Sequence, residues 1–213
     1  MKRRLIKWLL ILAVIAAAGS GIALWYQRSV FEAEAAQVVE LLGLKPGAAV
    51  ADIGAGEGEL TVRMARRVGS QGRVHSTEVD KKRLKQIREA AAEGGIDNVT
   101  VIEGGEADTR LPEACCDAAY LGRVYHHLTR PAEINTSLYR SLRPGGRLLI
   151  VDFAPRWWLR PFTPKGVPGN RGGHGVPRRI LIEEVSAAGF KLVRAIDDWP
   201  GFHYGVLFRK PPP

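Results

Sequence analysis

Hydrophobic and polar residues form two alternating kinds of segment from residue 30 to the end of the chain. Apolar residues at helical spacing predict helices, whereas short apolar runs bounded by glycine, proline or polar residues predict strands. The predicted helices cover residues 30–44, 59–68, 80–93, 130–142 and 178–188. The predicted strands cover residues 48–53, 73–79, 98–103, 117–122, 147–153, 190–196 and 203–209. Strands that alternate with helices are typical of a parallel sheet covered on both faces, so the sequence predicts a doubly wound α/β domain.

The stretch from Trp8 to Tyr26 has a different pattern, because Ser20 is its only polar side chain apart from the aromatic ends. Basic residues precede it, and this combination is typical of a transmembrane helix. A basic start before an apolar run also fits a cleaved signal peptide, although the apolar core of such peptides is usually only about 7–15 residues long. We therefore interpret residues 1–27 as an N-terminal membrane anchor or signal-like segment, and residues 28–213 as a single folded domain.

Charge is distributed unevenly along the 213 residues. There are 31 Lys and Arg against 22 Asp and Glu, which gives a formal net charge of +9. The basic surplus lies in residues 1–7 and 155–179, neither of which contains an acidic residue. The remainder is close to neutral, which disfavours nucleic acid as a partner of the whole domain. A hydrophobic content of 46% and a charged content of 25% exclude wholesale disorder.

Three glycines, Gly54, Gly56 and Gly58, follow the first predicted strand and precede the next helix. Glycines at such a turn let the backbone bend sharply and approach a ligand closely. A dinucleotide-binding turn requires a further glycine where this chain has Glu59, so the pattern fits a pyrophosphate poorly. The acidic Asp52 just before the turn further disfavours a phosphate and suits a cationic ligand.

These residues, an acid followed by Gly-x-Gly-x-Gly, resemble the first motif of the class I S-adenosylmethionine-dependent methyltransferases. The resemblance extends over most of residues 36–209, because the stretch Leu142–Gly146 (LRPGG) and the run Tyr125–His127 (YHH) also match patterns of that family. It implies a Rossmann-like sheet of seven strands, mostly parallel with an antiparallel last strand. The N-terminal apolar helix predicted above is additional to this sheet. It also implies S-adenosylmethionine as the cofactor.

The resemblance further implies which residues bind this cofactor. Glu78, at the end of the second strand, would accept hydrogen bonds from the ribose hydroxyls, and Glu106 with Ala107 would contact the adenine. Asp108 is the alternative for the adenine contact. The full set implied is Asp52, Gly54, Gly56, Gly58, Glu78, Glu106 and Ala107. A carboxylate at Glu78 also suits NAD, but the chain lacks the Tyr-x-x-x-Lys pattern of short-chain dehydrogenases.

Methyl transfer from a sulfonium depends mainly on positioning and on exclusion of water, because the leaving group is good. A histidine near the methyl group can accept a proton from the acceptor. The candidate catalytic residues are His127, His126, Tyr125 and Asp152. In an extended segment, Tyr125 and His127 would point to the same side, and only one histidine would line the pocket. A histidine that merely holds the loop, and an Asp152 that caps a loop, are the alternatives.

We expect no bound metal. Magnesium requires hard oxygen ligands, and Asp152 is the only acid at the ends of the fourth and fifth strands. Cys115 and Cys116 are adjacent, unlike the spaced cysteine pairs of zinc sites, so we interpret them as ordinary thiols at the start of a strand.

The basic stretch 155–179 contains five prolines, which exclude a regular helix or central strand through most of it. Trp157, Trp158 and Phe162 lie among arginines within it. We interpret this stretch first as a lid over the pocket and second as a membrane contact, because aromatic and basic residues suit the headgroup region. Stacking on single-stranded nucleic acid is the third alternative.

Together these features predict an enzyme that methylates a small-molecule or lipid-like acceptor at or near a membrane. The alternative is a non-catalytic membrane adaptor that binds S-adenosylmethionine. An uncleaved apolar segment makes the chain a single-pass membrane protein, and a cleaved one makes it secreted or periplasmic. The basic N-terminus places the domain outside the cytoplasm by the positive-inside rule, whereas the cofactor implied by the resemblance is made in the cytoplasm, so the side of the membrane stays open.

Overall fold

A computed structural model of the protein describes residue 21 and residues 25–212. Five helices and seven strands alternate along this part of the chain. They are α1 (residues 25–42), β1 (Ala49–Ile53), α2 (Glu59–Val68), β2 (Arg73–Glu78), α3 (Lys81–Glu93), β3 (Val99–Glu103), β4 (Cys116–Gly122), α4 (Pro131–Ser141), β5 (Leu142–Asp152), α5 (Arg178–Ala187), β6 (Lys191–Trp199) and β7 (His203–Arg209). Short 3-10 helices follow β4 and β5. The predicted elements are thus present, with most bounds within a few residues.

The seven strands form one sheet in the order β3-β2-β1-β4-β5-β7-β6. Neighbouring strands from β3 to β5 are parallel, and β7 runs antiparallel to both β5 and β6. The predicted Rossmann-like sheet with an antiparallel last strand is therefore confirmed. The strand order reverses between β1 and β4, and in sheets of this kind ligands bind in the crevice at the carboxyl ends of those strands.

Both faces of the sheet are covered, which explains the nearly continuous apolar run of β5. Successive residues of a strand point to opposite faces. Accordingly, Leu148 packs in the cluster that includes residues of α4 and α5, and Leu149 packs in the cluster that includes residues of α1 and α2. The two layers of helices fix the sheet between them and hold the strand ends in place.

The stretch Leu142–Gly146 forms the link between α4 and the main part of β5. The helix ends at Ser141, and Leu142 already pairs with Cys116 of β4. The next paired residue is Arg147, so residues 143–146 bulge out of β5. Gly145 adopts a φ of 79° in the bulge, a conformation that glycine reaches without steric cost.

The N-terminal apolar stretch from Trp8 to Tyr26 lies outside the described residues except for residue 21 and its last two positions. Among the helices that the structure describes, none is both long and apolar enough to cross a membrane. The helix α1 is described from residue 25 onward, which is already before the predicted start at residue 30. Trp25 and Tyr26 are exposed at its start.

Candidate active site

Two adjoining cavities open at the carboxyl ends of β1, β2 and β4. The first, of about 240 Å³, is lined by residues that include Glu78, Glu106 and His127. The second, of about 260 Å³, is lined by residues that include Asp52 and Gly56. Gly54 and Val124 line both cavities, so the two are parts of one crevice at the point where the strand order reverses.

The three glycines of the turn after β1 have positive φ angles but different surroundings. A Cβ atom on Gly54 would lie 2.5 Å from the Val124 side chain, and one on Gly58 would lie 3.0 Å from the Cα of Ile87 in α3. A Cβ atom on Gly56 would meet nothing within 4 Å. Gly54 and Gly58 are therefore required by packing within the protein, whereas Gly56 leaves open space for a ligand.

Glu78 is at the end of β2 with only 6% of its side chain area exposed. One carboxylate oxygen accepts a hydrogen bond from the backbone N–H of Val79 at 2.8 Å, and the other accepts one from Gly56 at 3.2 Å. The Arg83 guanidinium lies 3.7 Å away. The carboxylate is thus fixed between the glycine turn and the first cavity, where it can accept further hydrogen bonds from a ligand.

Asp52 lies at the wall of the second cavity, behind the glycine turn. Burial and the nearby charge of Glu78 raise the pKa of its carboxyl, a hydrogen bond from Thr61 at 2.6 Å lowers it, and the net result is a pKa of about 6. Arg83 and Arg123 line the same cavity. The second cavity therefore presents charges of both signs, which suits a zwitterionic group.

The sequence interpretation missed Glu34 of α1. Its carboxylate accepts hydrogen bonds from Arg123 at 2.7 Å and from the Tyr120 hydroxyl at 3.1 Å. Trp199 donates to the same carboxylate at 3.4 Å. Since Tyr120 and Arg123 line the second cavity, α1 braces its wall. The sequence does offer one indication of this role: Glu34 lies four residues before the apolar Val38, so the helical spacing places the acid on the buried face of α1.

The residues after β3 separate into two groups. Gly105 and Glu106 line the first cavity, but Ala107 and Asp108 line a separate surface depression. Asp108 accepts hydrogen bonds from Ser137 at 3.1 Å and from Arg140 at 2.8 Å, which turn it away from the first cavity. Of the residues implied for adenine contact, the structure brings Glu106 to the cavity and leaves Ala107 and the alternative Asp108 outside it.

The segment Tyr125–His127 is a 3-10 helix, so the expectation of an extended segment is wrong. Tyr125 consequently does not share the side of His127. It is fully buried, and its hydroxyl donates to Glu184 at 2.9 Å and accepts from Asn135 at 2.8 Å. Tyr125 fixes the turn to the core and does not line either cavity.

His127 lines the first cavity. Burial, together with the neighbouring imidazoles of His126 and His174, lowers the pKa of its imidazole to about 4, although the charge of Asp152 acts in the opposite direction. At neutral pH the ring is therefore uncharged and one of its nitrogens has a free lone pair. This is the state in which histidine can accept a proton.

The carboxylate of Asp152 contacts both the ring and the backbone of His126. Its carboxylate oxygens lie 2.8 Å from Nδ1 of His126 and accept a hydrogen bond from the His126 backbone N–H at 3.0 Å. Asp152 is fully buried, and His126 is 3% exposed. Asp152 thus caps the loop and orients His126, whose ring centroid lies 4.0 Å from that of His127. Neither of the two lines the cavity that contains His127.

His174 is a further residue that the sequence interpretation did not single out. It belongs to the stretch 155–179, and its ring centroid lies 4.7 Å from that of His126 and 5.7 Å from that of His127. Its Nδ1 atom is buried and has no hydrogen-bond partner in the described part of the chain. The only feature of the sequence that could have drawn attention to His174 is that it is a histidine flanked by glycines in an otherwise basic loop.

Arg171 explains how this stretch stays in place. Its side chain is 1% exposed and donates to the backbone carbonyl of Tyr125 at 2.7 Å and to Glu184 at 3.0 Å. One charged side chain thus connects the stretch to the turn after β4 and to α5. The stretch places His174 beside the other two histidines.

Comparison with known proteins gives the family. The family profile described as "Methyltransferase domain" matches residues 44–167, more than half of the chain. The ubiquinone/menaquinone biosynthesis C-methyltransferase UbiE of Marinomonas sp. (strain MWYL1) is 34% identical over 113 residues, which are 53% of this chain and 45% of that protein. The chain therefore spans about half the length of the curated relatives that it matches.

Solved structures show the same fold. A SAM-dependent methyltransferase from Aquifex aeolicus superimposes with a TM-score of 0.71 at 23% identity, covering 83% of this chain and 89% of that one. A geranyl diphosphate C-methyltransferase from Streptomyces coelicolor A3(2), solved with Mg²⁺, geranyl diphosphate and S-adenosyl-L-homocysteine, gives 0.69 at 15% identity, with 84% and 80% covered.

The chain therefore belongs to the methyltransferase domain family. This assignment confirms the family and the cofactor predicted from the motifs. The roles of individual site residues, the absence of a catalytic metal and the membrane association stay predictions.

Proposed function

We propose that this protein transfers a methyl group from S-adenosylmethionine to a carbon atom of a small, largely apolar acceptor. The main support is the position of the neutral His127 in the wall of the cavity that also contains Glu78. Apolar side chains such as Val124, Leu128 and Ile134 form much of the remaining wall. Two of the proteins compared above are named as C-methyltransferases, which favours carbon as the acceptor atom.

The crevice fits the cofactor in shape and charge. The open space at Gly56 would hold the part of the cofactor that lies against the main chain of the glycine turn. The carboxylate of Glu78 would accept hydrogen bonds from the ribose of the cofactor. The opposite charges of Asp52 and Arg83 suit the amino and carboxylate groups of an amino acid. When bound, S-adenosylmethionine supplies an electrophilic methyl group.

The protein's own part in the reaction is to position the acceptor, exclude water and accept a proton. A carbon acceptor that gains a methyl group must lose a proton, and an uncharged nitrogen of His127 can accept it. The contact with Asp152 fixes the ring of His126, which in turn packs against His127 and limits its rotation. His126 and Asp152 are therefore proposed as positioning residues and His127 as the proton acceptor.

We also propose that the acceptor is lipid-like and is reached at or near a membrane. Trp157, Phe162 and Phe202 are 78%, 69% and 87% exposed on the surface of the stretch 155–179 and the adjoining turn before β7. The Arg156 guanidinium lies 5.3 Å from the Phe202 ring centroid, so basic and aromatic groups share this surface. Such a combination suits a headgroup region with anionic lipids. A membrane anchor in residues 1–27 would keep the crevice close to the membrane surface.

Methyl-labelled S-adenosylmethionine tests the proposal. The full-length protein is incubated with the cofactor and with separated lipid, small-molecule and protein fractions. We expect label in an apolar small molecule or lipid, in a methyl group that NMR spectroscopy of the product shows to be bound to carbon. Label confined to protein, or saturable cofactor binding without label in any fraction, would contradict the proposal, and the second result would favour the non-catalytic adaptor.

Affinity for S-adenosylmethionine is expected to decrease as the pH falls through about 6. The Asp52 carboxyl, with a pKa of about 6 in the free protein, is charged above that value and neutral below it. A cationic ligand binds the charged form better, so full affinity is present above pH 6 and is lost below it. Calorimetry from about pH 5 to about pH 8 measures this, and Asp52→Asn should bind more weakly with a flatter profile. Equal profiles for the two proteins would exclude Asp52 as the cause.

Substitution of two glycines separates ligand contact from packing. Gly56→Ala is expected to weaken cofactor binding by about tenfold or more, because the new methyl group occupies the open space beside the turn. Gly58→Ala should instead lower the free energy of unfolding more than Gly56→Ala does, since the new Cβ atom lies 3.0 Å from the backbone of α3. Both positions have positive φ, so each also incurs about 1–2 kcal/mol of strain. Urea denaturation and calorimetry distinguish the two effects, and the reverse pattern would refute the assignment.

A further inference from the structure

A second cluster of functional side chains lies at the other end of the sheet from the crevice. His75 is the third residue of β2, and Cys116 is the first residue of β4, with Cys115 directly before it. In the parallel part of the sheet these positions are near the amino ends of the strands, whereas the cavities open at the carboxyl ends. The cluster is therefore separate from the proposed methyl-transfer site.

The three side chains converge. One ligand atom from each of His75, Cys115 and Cys116 lies within 4.8 Å of the others. The two sulfur atoms are 3.0 Å apart. β1 runs between β2 and β4, and the residue of β1 that pairs with His75 is Ala51, which in turn pairs with Ala119 of β4. Two alanines in this row leave room for the imidazole to reach toward β4.

The imidazole of His75 also has an unsatisfied atom. Its Nδ1 is buried and has no hydrogen-bond partner among the described residues. Buried polar atoms are nearly always paired, so an exception indicates a missing ligand, ion or water. Because one ring nitrogen of the same imidazole lies within 4.8 Å of the sulfurs of two cysteines, an ion with affinity for both nitrogen and sulfur suits this cluster best.

We propose that His75, Cys115 and Cys116 bind one zinc-type metal ion. Zn²⁺ binds thiolate sulfur at about 2.3 Å and imidazole nitrogen at about 2.0–2.1 Å in tetrahedral geometry, so three ligands leave one position for water. Cys115 is partly exposed, which gives an ion access from solvent. The ion would connect β2 to the start of β4 across β1 and thereby stabilise the amino-terminal end of the sheet.

Metal titration of the reduced, chelator-treated full-length protein tests this site. Zn²⁺ binding is measured by calorimetry, and Co²⁺ serves as the spectroscopic probe because thiolate ligands give it intense near-ultraviolet charge-transfer bands. We expect one ion per chain, thiolate-to-Co²⁺ bands and a rise in the melting temperature with Zn²⁺. His75→Ala and Cys115→Ser should each weaken binding at least tenfold.

His203→Ala is the matched control, since this histidine lies in β7 outside the cluster and should leave metal affinity unchanged. Circular dichroism of each variant shows whether it folds, and Cys115→Ser replaces a partly exposed side chain and is expected to fold normally. No binding to the reduced protein, or binding that His75→Ala and Cys115→Ser leave unchanged, would overturn the proposal. Binding that His203→Ala abolishes would place the metal elsewhere and overturn it too.

Discussion

Glu78→Ala is expected to weaken S-adenosylmethionine binding by about 100-fold to 1,000-fold. The carboxylate is fixed by the N–H groups of Val79 and Gly56, and it faces the first cavity with acceptor capacity remaining for a ligand. A hydrogen bond to a charged group contributes about 1.5–3 kcal/mol, and two such bonds to ribose hydroxyls, each near the lower end of this range, account for this loss. The loss also includes attraction between the carboxylate and a cationic ligand. Calorimetry or equilibrium dialysis with labelled cofactor measures it.

Glu78→Gln provides the fold-preserving companion variant. Its amide keeps one acceptor oxygen, so we expect an affinity between those of the wild type and Glu78→Ala. Glu89→Gln on the exposed side of α3 is the matched control, because it removes one acidic charge from the surface without touching the crevice. If Glu89→Gln weakened binding as much as Glu78→Ala, overall charge and not the position of Glu78 would account for the effect.

His127→Gln is expected to lower the rate of methyl transfer by about 10²-fold to 10⁴-fold while leaving cofactor affinity within a few fold. Glutamine has similar size and polarity but cannot accept a proton from the acceptor at neutral pH. The side chain lines the cavity, so it can reach a bound acceptor, whereas the cofactor contacts proposed above involve Glu78 and the glycine turn. Single-turnover rates with labelled cofactor measure the chemical step.

The pH profile distinguishes a proton acceptor from a residue that only fills space. With a pKa of about 4, His127 is uncharged through neutral pH, so the wild-type rate at saturating cofactor should stay flat down to about pH 5 and fall below it. His203→Gln is the control histidine and should retain the wild-type rate. A His127→Gln enzyme with full activity, or with lost cofactor binding and an unchanged rate at saturation, would exclude the proposed role.

The pH effects predicted for Asp52 and His127 are separable because they concern different steps. Protonation of Asp52 near pH 6 weakens binding and is overcome by more cofactor, whereas protonation of His127 near pH 4 stops proton acceptance at any cofactor concentration. A KM that rises below pH 6 with a constant kcat would therefore assign the first effect to binding. A kcat that falls at pH 6 would instead place a group with that pKa in the chemical step.

The stretch 155–179 connects the site to the surface. Arg171 fixes one part of it to the turn that contains the histidines, and the exposed aromatic residues Trp157 and Phe162 lie on another part of it. An acceptor taken from a membrane would thus meet the aromatic surface first and the histidine cluster next. No residue of this stretch lines either of the two cavities described above, so its roles as a lid and as a membrane contact stay predictions.

Much of the fold could be predicted because its signals are local. The apolar runs of β1 and β5 and the helical spacing of α2 and α4 each lie within a short window, and the order of elements follows from their alternation. The acid and glycines after β1 indicated the cofactor for the same reason. The error at Tyr125–His127 arose because three residues after a strand give no local signal that separates a 3-10 turn from extended chain.

The sequence by itself determined the α/β class, the family resemblance, the cofactor and the identity of Asp52, Gly56 and Glu78 as its candidate contacts. These depend on residues close together in the chain. Only the tertiary structure decided which histidine lines the cavity, that Asp152 lies behind His126, and that His174 joins them.

The tertiary structure also decided which distant residues meet at the two ends of the sheet. Glu34 reaches Arg123 beside the crevice, and His75 reaches Cys115 and Cys116 at the opposite end. Such contacts form when parallel strands and their crossover helices pack, which brings together segments far apart in the chain. No pattern of residue types within one segment specifies them, because the distance between two side chains is set by the packing of the whole sheet.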